Sequence, residues 1–148
     1  MAIAILASAL GASLALAQDK EPPPSVRYGV PANLDKYPQF TPKETLASVA
    51  KAIDDRQIDY LLAHLADPTF VDERVKTYRD QFEELVREAS RKMLDVPDTA
   101  KRLRRYLKEG EWEDADTQSS VKLKDLGDRV YLRKVGKRWF MENRAKKN

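Results

Sequence analysis

"DRVYLRKVGKRWFMENR", residues 128–144, decides the fold of this chain. Apolar and charged side chains alternate on both sides of Gly136-Lys137, the period-two signature of a half-buried antiparallel pair. A two-residue loop with glycine first suits a type II′ turn. That turn sets Lys134 opposite Trp139, Leu132 opposite Met141 and Val130 opposite Asn143. The preceding "SSVKLKDLG", residues 119–127, keeps the same period. A second tight turn at Leu126-Gly127 pairs Leu123 with Val130 and Val121 with Leu132. Both turns bring Val121, Leu123, Val130, Leu132, Trp139 and Met141 to one face, and a one-residue slip scatters them. The expectation is a sheet of three to four antiparallel strands after Glu111, with its apolar face turned to a core.

Upstream the period changes to that of helices. Thr41, Pro42 and Glu44 form a Thr-x-x-Glu capping box with proline at the first helical position. Leu46, Val49, Ala50 and Ile53 follow at i, i+3, i+4 and i+7. "DDRQ" interrupts the stripe, Ile58, Leu61, Leu62 and Leu65 resume it, and Asp67-Pro68 stops it. Val71 to Met93 reads as one long helix, and residues 98–108 as a shorter one ended by Gly110 as a C′ glycine. Helices first and an antiparallel sheet afterwards define an α+β fold, N-terminal helices packed on a C-terminal curved sheet.

Residues 1–17 carry no charge and end in Ala15-Leu16-Ala17, the small-residue pattern of a cleaved signal peptide. The run falls short of the roughly 20 apolar residues of a membrane span. Cleavage after Ala17 is the preferred reading, giving a periplasmic or extracellular protein with no stable membrane span; an uncleaved, tethering leader is the rival. Residues 18–40 hold five of the eight prolines and read as a Pro-rich linker, followed by the domain at 41–144 and a basic tail at 145–148. With no cysteine, an exported domain has no disulfide, so its core must suffice alone.

Two stretches carry a resemblance. "TPKETLASVAKAIDDRQIDYLLAHLADPTF" resembles the opening of nuclear transport factor two-like domains, where a capped helix leads to a second helix ending in Ala-Asp. "VYLRKVGKRWFMEN" is similar to the closing hairpin of that superfamily, and the stretch 41–144 to a group of uncharacterised exported bacterial proteins. The resemblance implies a curved sheet wrapped on helices as a cone with a pocket. That fold hosts isomerases, dehydratases, cyclases and binding modules, so it names no activity.

Few residues carry chemistry. His64 is the only histidine; at 100° per residue it flanks the apolar stripe at about 110°, with Tyr60 further out. It is the catalytic candidate, a general base at a pocket edge, against a boundary or solvated position. Trp139 on the inner sheet face is a core anchor, or a stacking surface at a pocket lip with Tyr60 and His64. Lys101, Arg102, Arg104, Arg105 and Lys108 in "AKRLRRYLK" are able to meet phosphate or an anionic polymer, or to remain a solvated helix face. "EGEWEDAD" lacks the offsets of a calcium loop, so no metal is expected. No phosphate loop, nucleophile elbow or zinc motif is present, and a net charge of +3 does not point to nucleic acid. The expectation is a non-enzymatic binding or scaffold domain without cofactor, its partner a small apolar ligand or an envelope component. The alternative is a small lyase or isomerase using His64.

Overall fold

The computed structural model describes residues 25–95 and 98–144. The expected leader, residues 18–24 of the linker and the basic tail lie outside the described residues. A short antiparallel pair, β1 (Val26–Arg27) and β2 (Val30–Pro31), comes first. The helices follow: α1 (Pro42–Asp54), α2 (Ile58–Tyr60, continued by a π-helical turn, Leu61–Leu65), α3 (Pro68–Thr77), α4 (Phe82–Leu94) and α5 (Thr99–Glu109). The chain closes with β3 (Glu111–Asp114), β4 (Gln118–Lys122), β5 (Arg129–Val135) and β6 (Arg138–Met141). These four strands form one antiparallel sheet in the order β3-β4-β5-β6, so the fold is α+β with helices preceding the sheet.

Local chemistry explains the helix ends. Thr41 Oγ1 accepts the Glu44 amide at 3.1 Å, and the Glu44 carboxylate reaches back to the amide of Phe40. The expected stripe of Leu46, Val49, Ala50 and Ile53 is buried. At the other end Arg56 is left-handed at φ 56°, while Arg56 N donates to Ile53 O and Gln57 N to Ala52 O. This is a Schellman ending built on arginine instead of glycine.

The same device divides the stretch expected as one helix from Val71 to Met93. Arg79 N donates to Lys76 O and Asp80 N to Val75 O, with Arg79 and Asp80 left-handed at 55° and 60°. The break redirects the chain so that Phe82 stacks on Tyr28, ring centroids 4.4 Å apart and planes within 5°. "KTYRDQF" contains neither Gly nor Pro, so the turn left no punctuation in the sequence.

The closing hairpin has the expected register, Lys134 opposite Trp139 and Leu132 opposite Met141, and Gly136 has φ 64° as the first residue of a II′ turn requires. The register upstream differs. Val121 pairs with Val130 and Ser119 with Leu132, because residues 123–128 make a longer loop where a two-residue turn was expected. A shift of two leaves every side chain on its own face, so Val121, Leu123, Leu132 and Trp139 are still buried. On the other face Phe140 is fully buried too, so β6 is covered on both sides.

Residues 25–40 are not a spacer. Tyr37 and Gln39 are 2% and 0% exposed, and the segment forms β1–β2 against α2 before crossing to β6. The structure corrects the linker reading for these residues because their polar groups find partners on the domain. The prolines at 31 and 38 are compatible with a fixed, extended course as well as with a tether.

Gly110 also differs from its expected role. It is extended, at φ −71° and ψ 151°, with no left-handed C′ geometry. A β-carbon there would run into the Tyr106 carbonyl and the Val121 side chain, so glycine lets α5 turn directly onto the sheet. Gly110→Ala should therefore lower stability by about 1–3 kcal/mol in urea melts, the range for overpacked sites. An unchanged or raised midpoint would show that this junction has room to spare.

Candidate functional site

The residues singled out in the sequence meet around α2. "YLLAHLA", residues 60–66, has only one strongly polar side chain in seven, and all seven residues are buried. A helix apolar on every side has no solvent face. The turn at Leu61–Leu65 is also wider than an α-helix, with Ala66 N donating to Leu61 O, five residues back. The 100° spacing that placed His64 on a flank and Tyr60 further out does not hold through such a turn. His64 is 0% exposed and Tyr60 5%, which corrects both placements.

Each is committed to holding another chain segment. The His64 Nε2 proton is donated to the carbonyl of Val30 at 2.6 Å, joining α2 to β2. Tyr60 Oη accepts the amide of Asn33 at 2.8 Å, and its ring lies between Tyr37 and His64, with centroids 4.5 Å and 5.0 Å away. Arg27 Nε donates to Ala63 O at 2.7 Å, and its guanidinium pairs with Asp72. Trp139 is 6% exposed, and its ring lies within the packed sheet face. Tyr60 and His64 thus form one cluster, while Trp139 joins it only through Gln39, whose Nε2 donates to both His64 O and Trp139 O.

The surroundings of His64 favour its neutral form. Burial pushes the His64 imidazole below its ordinary value, the Val30 carbonyl opposes that shift, and the charges of Arg138 and Arg27 add to it. Its Nδ1 is buried with no hydrogen-bond partner among the described residues. A general base must reach a substrate proton and be oriented by a partner. Here the ring is sealed behind β2, and no carboxylate hydrogen-bonds to it among the described residues. Arg27, Asn33 and Gln39 were missed because their partners lie 25 to 100 residues away, a separation that leaves no local pattern.

The acidic run is spent on cross-strand pairing. Glu111 faces Lys122 and Lys124, Glu113 faces Arg129, and Asp114 accepts from Ser119 Oγ. Among the described residues no three acidic or histidine side chains converge as metal ligands. No helix of the described residues is long and apolar enough to cross a membrane.

The basic segment presents a different picture. On α5, Leu103 and Tyr106 are buried while Lys101, Arg102, Arg104, Arg105 and Lys108 are exposed. These five line an open groove of about 490 Å³, completed by Asp98, Glu109 and Leu126. Arg104 pairs with Asp54, and Arg105 with Glu109 and both oxygens of Asp125. Lys101, Arg102 and Lys108 have no anionic partner among the described residues. Asp54, Glu109 and Asp125 thus offset the charge of Arg104 and Arg105, while Lys101, Arg102 and Lys108 face solvent. Comparison with protein-family models, curated proteins and solved structures finds no match for this chain.

The buried histidine yields a pH signature. The unfolded chain takes up a proton near pH 6.5 that the folded chain resists, so this contribution to stability is whole above about pH 6.5 and is lost as the pH falls below it. Urea melts should show stability dropping by up to about 1.4 kcal/mol per pH unit between about pH 6.5 and 5. Since His64 is the sole histidine, His64→Gln should abolish that slope while lowering stability at pH 7.5. A slope that survives the substitution would assign it elsewhere.

Proposed function

We propose that this chain is an exported, non-enzymatic binding domain whose α5 groove captures a phosphate-bearing partner in the cell envelope. The observation that carries the reading is the set of three exposed cations, Lys101, Arg102 and Lys108, around a groove whose other two cations are already neutralised. Arginine offers phosphate a planar fork and lysine a mobile point charge, so the set suits several phosphate geometries. The volume of about 490 Å³ falls within the usual range for ligand sites. Export is supported by the uncharged run at 1–17 with its Ala-x-Ala ending. The likeness to nuclear transport factor two-like domains stays within the proposal, supported by the capped α1, the α2 ending at Ala66-Asp67 and the closing hairpin with Trp139. Such a domain needs no cofactor, and the apolar ligand expected at Trp139 gives way to an anionic one at α5.

Isothermal titration with tripolyphosphate at low ionic strength tests the reading. The wild-type chain should bind, and the triple change Lys101→Gln, Arg102→Gln, Lys108→Gln should weaken binding by at least about tenfold, as losing one or two charge-assisted bonds does. Lys76→Gln, on the exposed side of α3, should leave it unchanged. No binding by the wild type, or an equal loss with Lys76→Gln, would remove the groove as the site.

A further inference from the structure

The arrangement of the α5 cations says more than their number. At 100° per residue, Lys101, Arg105 and Lys108 fall within an arc of about 60°, Arg104 lies about 40° beyond one end and Arg102 about 60° beyond the other, so the five cations cover about 160° of the helix. The buried residues Leu103 and Tyr106 lie on the opposite side, engaged in the core. From Lys101 to Lys108 the row runs about 10 Å along the helix. A closed site for a small phosphate gathers donors to one point and uses backbone amides at a helix start. Here the charged side chains spread along and around the outward surface of a helix whose apolar side is already used. A spread of long, separately mobile side chains reaches several phosphates of a surface better than it closes on one.

The rest of the chain agrees with that geometry. The uncharged, apolar residues 1–17 match an export leader, whose removal leaves the domain beside a membrane surface, and Lys146-Lys147 add positive charge at the other end. Leu126, half-buried, is the one apolar residue lining the groove. We infer that the outward face of α5 docks the domain on a bilayer surface rich in anionic phospholipid, with Lys101, Arg102 and Lys108 on the lipid phosphates; this rests on the phosphate-binding reading of the groove and names its partner. Docking is peripheral, since α5 has no apolar stripe left to insert. It is weakened by salt, because exposed charges are screened over about 10 Å at 0.1 M.

The test uses the chain from Gln18, as cleavage after Ala17 leaves it, with vesicles of phosphatidylcholine alone and of an equimolar mixture with phosphatidylglycerol. The difference between the two compositions reads the charged contribution. Co-sedimentation at low salt should show a strong preference for the anionic vesicles. The triple change Lys101→Gln, Arg102→Gln, Lys108→Gln should lower partitioning into them by about 100-fold, three basic residues near an anionic surface being involved. Its urea midpoint should match that of the wild type, since all three side chains are exposed. Equal partitioning of the wild type into both vesicles, or a triple variant that keeps the preference, overturns the inference. If tripolyphosphate binds while anionic vesicles are not preferred, the lipid partner falls and the phosphate-binding reading stands. If neither binds, both fall.

Discussion

The outer edge of β6 is the constraint on which the rest of the structure depends. A strand of four residues at the end of a sheet carries backbone groups that point away from its partner, and burial makes each a liability of about 1–3 kcal/mol if left unpaired. Here they are met by two segments from far upstream. Trp139 N donates to Gln39 O, and Trp139 O accepts from Gln39 Nε2, both at 2.8 Å. Met141 O accepts from Asp67 N at 2.9 Å. Gln39 Nε2 also holds His64 O, so one primary amide joins the N-terminal segment, the π-helical turn of α2 and the last strand. Once Gln39 is fixed there, residues 25–38 must run along α2, and that course seals His64 behind Val30 and Tyr60 behind Asn33.

That sealing separates two polar neighbourhoods with opposite prospects. Around α2 nearly every polar group serves the fold: Arg27 to Ala63 and Asp72, Tyr28 to Asp72, Tyr37 to Asp55, Arg133 to Asp67. Such a cluster confers rigidity and leaves little for a ligand. Along α5 the balance is reversed, with cations outnumbering the carboxylates that reach them. A binding role is easier to build from unspent charge at the surface than from a histidine whose hydrogen bond is already made.

Much of this was legible in the sequence where the determining contacts are local. The Thr41 cap, the α1 stripe and the Gly136-Lys137 hairpin depend on residues within a few positions of one another. The β4–β5 register differs by two residues from the expected one because a loop of six looks like a short turn when it contains Leu126-Gly127. The break at Arg79-Asp80 and the ending at Arg56 use non-glycine residues in the left-handed region, which sequence patterns assign to glycine. The burial of His64 had one available signal, the absence of any solvent face in "YLLAHLA". What covers it, a segment rich in proline and charge, was hidden because Val30, Asn33 and Gln39 act mainly through backbone groups or one amide, and their partners are remote. The basic run on α5 is plain in the sequence; the pairing of Arg104 with Asp54 and of Arg105 with Asp125, which singles out the other three, joins residues 20 or more positions apart and leaves no local pattern.

The central claim, that residues 25–40 complete the sheet by covering β6, is tested most directly by native-state hydrogen exchange at the Trp139 amide. On an uncovered edge strand this N–H would face water and exchange through small local openings. Bonded to Gln39 O inside a buried segment, it should exchange only when the whole domain unfolds, with the same opening free energy as the amides of the β5–β6 ladder. Protection weaker by orders of magnitude than that of the ladder would mean that the N-terminal segment detaches on its own, and that His64 is open to solvent for part of the time.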